Sequence, residues 1–200
     1  MRRRPVAVLD ACVLYPFQLR NLLLHLAVEG LYRPLWSNEI LAEVDRALRR
    51  DAGLTDEQCA HLFGQMRKAF PDALGSGYEG AADELDLPDE GDRHVIALAA
   101  HFEADVIVTA NLKHFPAVVL QPMDVEAVAP DAFCAELAAS EPAAVLRAAE
   151  RHRASLKSRP LRQDEYLDSL ADKAGLKRTA TLLMEAGFMS RAVQTRRATR

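Results

Sequence analysis

The sequence predicts an α/β fold built on a mostly parallel central sheet. Two observations carry that expectation. The apolar runs Val6-Ala7-Val8-Leu9 and Val106-Ile107-Val108 are short and uninterrupted, the pattern of a strand buried on both faces of a parallel sheet. Around them lie stretches with helical spacing, and strands that alternate with helices define this class.

In chain order, residues 6–9 read as the first strand and "QLRNLLLHLAVEGLY" as the helix after it. "SNEILAEVDRALRR" is a second helix with Ser37 as its N-cap, and "TDEQCAHLFGQMRKAF" a third capped by Thr55. "GSGYEG" and "PDEG" break the chain before the helix "DRHVIALAAHF". "ADVIVTAN" is the next strand, and "MDVEAV" a short last one. From Pro142 the texture becomes Ala/Arg-rich helix, followed after "SRP" by more helical sequence. Within it "LADKAGLKRTATLL" has a faint helix-turn-helix outline, one that helical hairpins share, and the closing "QTRRATR" is expected to fray. The change of texture divides the chain into 1–140 and a helical, basic extension, 141–200.

With 50% hydrophobic residues in 200, a real core is available. No stretch resembles a membrane span, and the apolar run behind the basic start is too short for a signal peptide. The expected location is the cytoplasm. Cys12, Cys59 and Cys134 are odd in number and widely spaced, so they form no zinc pattern and no disulfide framework. Residues 1–144 hold 12 Lys/Arg against 23 Asp/Glu, whereas residues 145–200 hold 13 against 6. That basic extension is either a solvated tail or an arm for nucleic acid or an acidic partner.

In open parallel sheets ligands sit beyond the carboxyl ends of the strands. Asp10 closes the first apolar run, and Thr109 and Asn111 close "DVIVT". Two strands of one parallel sheet would put these residues on one rim. Asp105 begins its strand and belongs to the opposite rim. Asp10 is then either a structural cap or a carboxylate that the rim requires. Asp92 falls on the apolar stripe of its helix, one turn before Val95 and Ile96. It either caps that helix or faces a partner. Glu43 borders the stripe of Ile40, Val44 and Leu48, and helical arithmetic does not separate it from Glu39 or Asp45.

Carboxylates gathered on one rim raise each other's pKa unless a cation compensates them. Oxygen ligands suit Mg²⁺ or Mn²⁺, which polarises phosphate and activates water. Rival chemistries are missing from the sequence: it has no G-x-G-x-x-G, P-loop or G-x-S-x-G pattern. The second aspartate of an aspartyl phosphatase is replaced by Cys12.

The pieces "VLDACVLYP", "LWSNEILAEV", "DRHVIALAA" and "ADVIVTANLKHFP", in this order, resemble the PIN-domain family of metal-dependent ribonucleases, which includes the VapC toxins. The resemblance covers most of residues 5–130. It implies a three-layer α/β/α fold, with Asp10, Glu43 and Asp92 as the metal-binding acids. It thereby picks Glu43 from its neighbours. At the fourth position, where the family often carries an acid, this chain has Asn111 and His114. Asn111 would ligate or orient water, with Thr109 and His114 in support and Lys113 on the RNA backbone. Cys12 would serve packing. The implied activity is hydrolysis of RNA phosphodiester bonds with Mg²⁺ or Mn²⁺. The implied partners are RNA, a cognate antitoxin and a second copy of the chain. A PIN fold that has lost catalysis and binds or regulates is the alternative.

Overall fold

Four consecutive buried residues, Val6–Leu9, form β1, the central strand of a five-stranded sheet in the computed structural model. The structure describes residues 3–78, 90–158 and 160–188; the closing segment expected to fray lies outside them. The other strands are β2 (Arg33–Ser37), β3 (Leu74–Gly75), β4 (Val106–Val108) and β5 (Glu126–Val128). Their order is β3-β2-β1-β4-β5 and every neighbouring pair is parallel. The chain steps from β1 out to β3, then returns to the other side of β1 for β4 and β5. The order therefore reverses between β1 and β4, the switch point at which open α/β sheets place ligands.

Two of these strands have no reading in the sequence. β2 opens with Arg33 and Pro34, residues that argue against a strand, and β3 has two residues. Tertiary packing settles both. Trp36 is fully buried, its backbone N–H donates to Ala73 O at 2.9 Å, and its ring meets Phe70 edge-on at 5.9 Å.

The chain forms two compact units: residues 1–16 with 32–129, and 17–31 with 130–200. In the first, the helices that matter to the rim are α1 (Ala11–Leu14), α3 (Asn38–Ala52), α4 (Asp56–Ala69) and α5 (Arg93–His101). On α3 the buried residues Ile40, Leu41, Val44 and Leu48 recur at helical spacing. Ser37 Oγ accepts from Ile40 N–H at 3.1 Å, and Gly53 stops the helix at φ 65°, where a side chain would be strained. Thr55 and Gln58 close a reciprocal capping box on α4. The apolar run Val95–Ala99 of α5 is buried against β1 and β4.

Gly75 is small because two side chains lie over it. A Cβ there would stand 2.6 Å from Leu98 Cδ1 and 2.8 Å from Phe102 Cε2, and Leu98 is wholly buried. Gly75→Ala is expected to destabilise the protein by about 1–3 kcal/mol, the usual cost of overpacking. A urea midpoint equal to the parent's would show that Leu98 and Phe102 yield freely.

The second unit is helical: α2 (Phe17–Val28), α7 (Pro130–Ser140), α8 (Pro142–Ser155), α9 (Gln163–Lys173) and α10 (Lys177–Glu185); α6 (Ala117–Leu120) belongs to the first unit. α2 packs on α8, and α7 on α10. Helix α2 and residues 130–140 thus fall in this unit rather than with the sheet. The segment with the helix-turn-helix outline forms α9 and α10, joined at Gly175 with φ 69°. Asp131 accepts from the N–H groups of Arg178 and Thr179, both at 2.9 Å, an anion at the start of α10. Glu29, 6% exposed at its side chain, is held by Arg147 and Arg151, each at 2.9 Å. Several arginines of the basic extension therefore serve this unit's own carboxylates.

His152 is wholly buried. Its Nδ1 lies 2.9 Å from Tyr166 Oη, and its ring stands 5.4 Å from that of His25. Burial first, then the charge of His25, pushes its pKa down from 6.5 to about 3. Between those values the unfolded chain carries a proton there and the folded chain does not. Stability from this group is complete above pH 6.5 and falls as pH drops towards 3, by up to about 1.4 kcal/mol per pH unit. His152→Gln, which does not titrate, should flatten the fall measured by urea unfolding between pH 6.5 and 4. An unchanged slope would mean that the folded protein protonates His152.

Candidate active site

In the register of β1 and β4, Leu9 stands opposite Val108, so the next residues, Asp10 and Thr109, emerge together at the carboxyl rim. Thr109 Oγ1 donates to Asp10 Oδ2 at 2.6 Å, and Cys12 Sγ donates to the same oxygen at 3.0 Å. The network continues outward. Asn111 N–H donates to Thr109 Oγ1 at 3.0 Å, and Ala110 N–H to Cys12 Sγ at 3.2 Å. Asp10 is 4% exposed, and these bonds answer the cost of burying it. It occupies the N-cap position of α1, yet its side chain makes no capping bond. Cys12, expected only to pack, is instead a donor to the site. Its thiol is pushed up to about 11, by burial first and then by the charge of Asp10. It remains protonated, and so donates rather than reacts.

Asp92 is the N-cap of α5, again without a side-chain capping bond. Its helix begins only at Arg93, so Asp92 closes the 3₁₀ turn Glu90–Asp92 instead of lying within the apolar stripe as the helical arithmetic placed it. His114 Nδ1–H donates to Asp92 Oδ2 at 2.7 Å. Asp105 is at the other end of its strand, where it accepts from Val6 N–H at 2.7 Å and pairs with Arg3.

The structure separates the three α3 acids that helical arithmetic left together. Glu39 accepts from Tyr78 Oη, and Asp45 accepts from Arg49 Nε at 2.7 Å. Glu43 faces His94 Nε2 at 3.6 Å, beyond hydrogen-bond reach. Its carboxyl is raised above the ordinary range by burial, against the pull of His94, and the charges of Asp10 and Asp92 add to the rise. Glu43 on α3 thus lies in the field of Asp10, just after β1, and of Asp92, just before α5. His94 had no signal in the sequence; it is one histidine on a helix that also carries His101. Asn111 and Lys113 are exposed on the segment after β4.

The donors suit a hard divalent cation in type and in charge. Such a cation would offset the charges of Asp10 and Asp92 that add to the rise at Glu43. As the side chains stand, among the described residues no three His, Cys, Asp or Glu side chains share one potential metal position. Asp92 is engaged by His114, and Glu43 faces His94.

A parallel sheet with its order reversed at β1, and acids from β1, α3 and α5 around that strand's carboxyl end, define the class. The chain belongs to the PIN-domain family, whose description "PIN domain" matches residues 6–113. A second family, described as "VapC50 C-terminal domain", matches residues 130–185. The Mycobacterium tuberculosis (strain ATCC 25618 / H37Rv) protein named "Putative ribonuclease VapC50" is 55% identical over 42 residues, 21% of this chain and 25% of that protein. The matched stretch thus spans about a quarter of that relative's length. No solved structure matches the chain.

Proposed function

We propose that the chain is an endoribonuclease that hydrolyses RNA phosphodiester bonds with Mg²⁺ or Mn²⁺, the toxin of a type II toxin–antitoxin pair. The observation that carries this reading is the electrostatic meeting of Asp10, Glu43 and Asp92 at the switch point of a PIN sheet. The match of residues 130–185 to the VapC50 C-terminal domain supports the toxin assignment. Asp10, Glu43 and Asp92 would hold the cation, which when bound polarises the phosphate and acidifies water.

The chain's own residues prepare that site. Thr109 and Cys12 fix one oxygen of Asp10, and His114 orients Asp92. Asn111 would position water or phosphate, and Lys113 would meet the RNA backbone without reading its sequence. A cognate antitoxin and a second copy of the chain are the partners this reading names. No helix among the described residues is long and apolar enough to cross a membrane, and the cytoplasm is the proposed location.

Two observations favour the second reading, a PIN fold that binds without cleaving: the hold of His114 on Asp92, and the absence of a three-ligand cluster among the described residues. Incubating the purified chain with RNA decides between them. Cleavage that requires Mn²⁺ or Mg²⁺ and stops in EDTA supports the nuclease. RNA retained intact at saturating Mn²⁺ supports the binding module.

A further inference from the structure

His94 reaches the rim without being one of its acids. It lies in the first turn of α5, two residues after Asp92, and its side chain is 13% exposed. Its Nε2 is buried and makes no hydrogen bond. A polar atom left in that state costs free energy, so the fold holds His94 here against a penalty. The atom it faces is Glu43 Oε1, 3.6 Å away.

That separation fits neither of the usual links between an imidazole and a carboxylate. A direct N–H···O bond ends near about 3.2 Å. A bridging water, about 2.9 Å from each atom, would hold them about 4.7 Å apart at its tetrahedral angle. Two ligands of one cation stand between these limits. With bonds of about 2.1 Å to nitrogen and oxygen, adjacent ligand atoms lie about 3.0 Å apart at a right angle and about 3.4 Å at a tetrahedral one. Small side-chain rotations bring His94 and Glu43 into that range.

The charges around the pair suit a cation. Those of Asp10 and Asp92 both reach Glu43, and Arg46, exposed one turn further along α3, tempers them. The imidazole of His114 is engaged by Asp92 at 2.7 Å, whereas Nε2 of His94 has no such bond. Among the described residues no three candidate ligands already converge. Glu43 and His94 are two ligands in near-position, and Asp10 or Asp92 completes the set as the cation enters.

We propose that His94 is a ligand of the divalent cation, bound through Nε2 beside Glu43 Oε1, and that it turns the site towards first-row transition ions such as Mn²⁺ and away from Mg²⁺. This rests on the metal-dependent activity proposed for the chain. Imidazole nitrogen suits the transition ions, whereas carboxylate, carbonyl and water oxygens suit Mg²⁺.

Pulsed electron paramagnetic resonance of the full chain loaded with Mn²⁺ tests this, because a coordinated imidazole modulates the echo through its nitrogen nucleus. The parent should show that modulation. It should vanish in His94→Gln and persist in His114→Gln, with melting curves to verify that both variants are folded. Calorimetric titration of Mn²⁺, with Mg²⁺ in competition, is the second readout. Glutamine sets an amide oxygen near the place of Nε2. His94→Gln should therefore weaken Mn²⁺ about tenfold and leave Mg²⁺ within about twofold. An unchanged ratio of the two affinities overturns the proposal. Modulation that survives in His94→Gln and disappears in His114→Gln does so too, because it assigns the nitrogen to His114. Mn²⁺ bound by the parent without nitrogen modulation refutes the role of His94 alone, whatever the variants do. A parent that binds no Mn²⁺ refutes the metal-dependent activity as well.

Discussion

Asp10→Asn is expected to abolish RNA cleavage and yet, in EDTA, to melt above the parent. Asp10 is one of three acids that share a field, and its charge helps to raise the carboxyl of Glu43. The amide oxygen of Asn keeps an acceptor for Thr109 and Cys12 while removing the charge. Relief of such a functional strain commonly stabilises by about 0.5–2 kcal/mol. Loss of even a supporting partner of a metal ligand costs 10–100-fold in affinity or activity, so loss of a ligand should exceed about 100-fold. The pH dependence follows from Glu43. Its pKa is raised in the folded protein, so its ionisation costs stability as pH rises through the folded value, and that cost is absent below its ordinary 4.5. The gap between variant and parent should be widest at neutral pH and should close towards pH 4.5. Saturating Mn²⁺ should narrow or reverse it, because only the parent gains from binding. A variant that melts below the parent in EDTA would show that the charged bonds from Thr109 and Cys12 outweigh the repulsion. Asp10 would then be structural.

The rim was legible where a local pattern implies a global position. An apolar run that ends in a polar residue marks the end of a strand, and two such runs in a parallel sheet end on one side. Asp10 and Thr109 follow from that alone, and their 2.6 Å contact is its consequence. Asp92 was legible as an acid needing a partner, but its partner His114 lies 22 residues away, and the helix starts too late for the stripe argument. Glu43 was not legible. Three acids border one stripe, and only the distant Tyr78 and the neighbouring Arg49 show which of them are engaged elsewhere. β2 was hidden by Arg33 and Pro34, since a strand so marked is specified by its neighbours rather than by propensity. The apolar face of α2 was plain in the sequence. That it packs on α8, more than a hundred residues later, is information that no local period contains.

His114→Asp should act in the opposite sense to Asp10→Asn. The bonding path to Nδ1 of histidine and to Oδ1 of aspartate is the same, through Cβ and Cγ. The substitution therefore sets a carboxylate oxygen where an N–H now donates to Asp92 at 2.7 Å. Two carboxylates at that separation cannot both ionise without a proton or a cation between them. The apo protein should melt below the parent by the equivalent of about 1 kcal/mol, the scale of a lost hydrogen bond. Metal binding should tighten, because an oxygen donor for a hard cation replaces an imidazole that now engages Asp92. A tenfold tighter Kd adds about 1.4 kcal/mol of stability at saturating metal. Mn²⁺ should therefore recover the lost melting temperature and carry it past the parent's. His114→Asn separates the two effects, since it removes the imidazole without adding charge. Titration of Mn²⁺ against all three proteins, read by calorimetry and by melting, decides the matter. If the aspartate variant binds with the parent's midpoint, His114 stands outside the metal's reach, and its bond to Asp92 serves the fold.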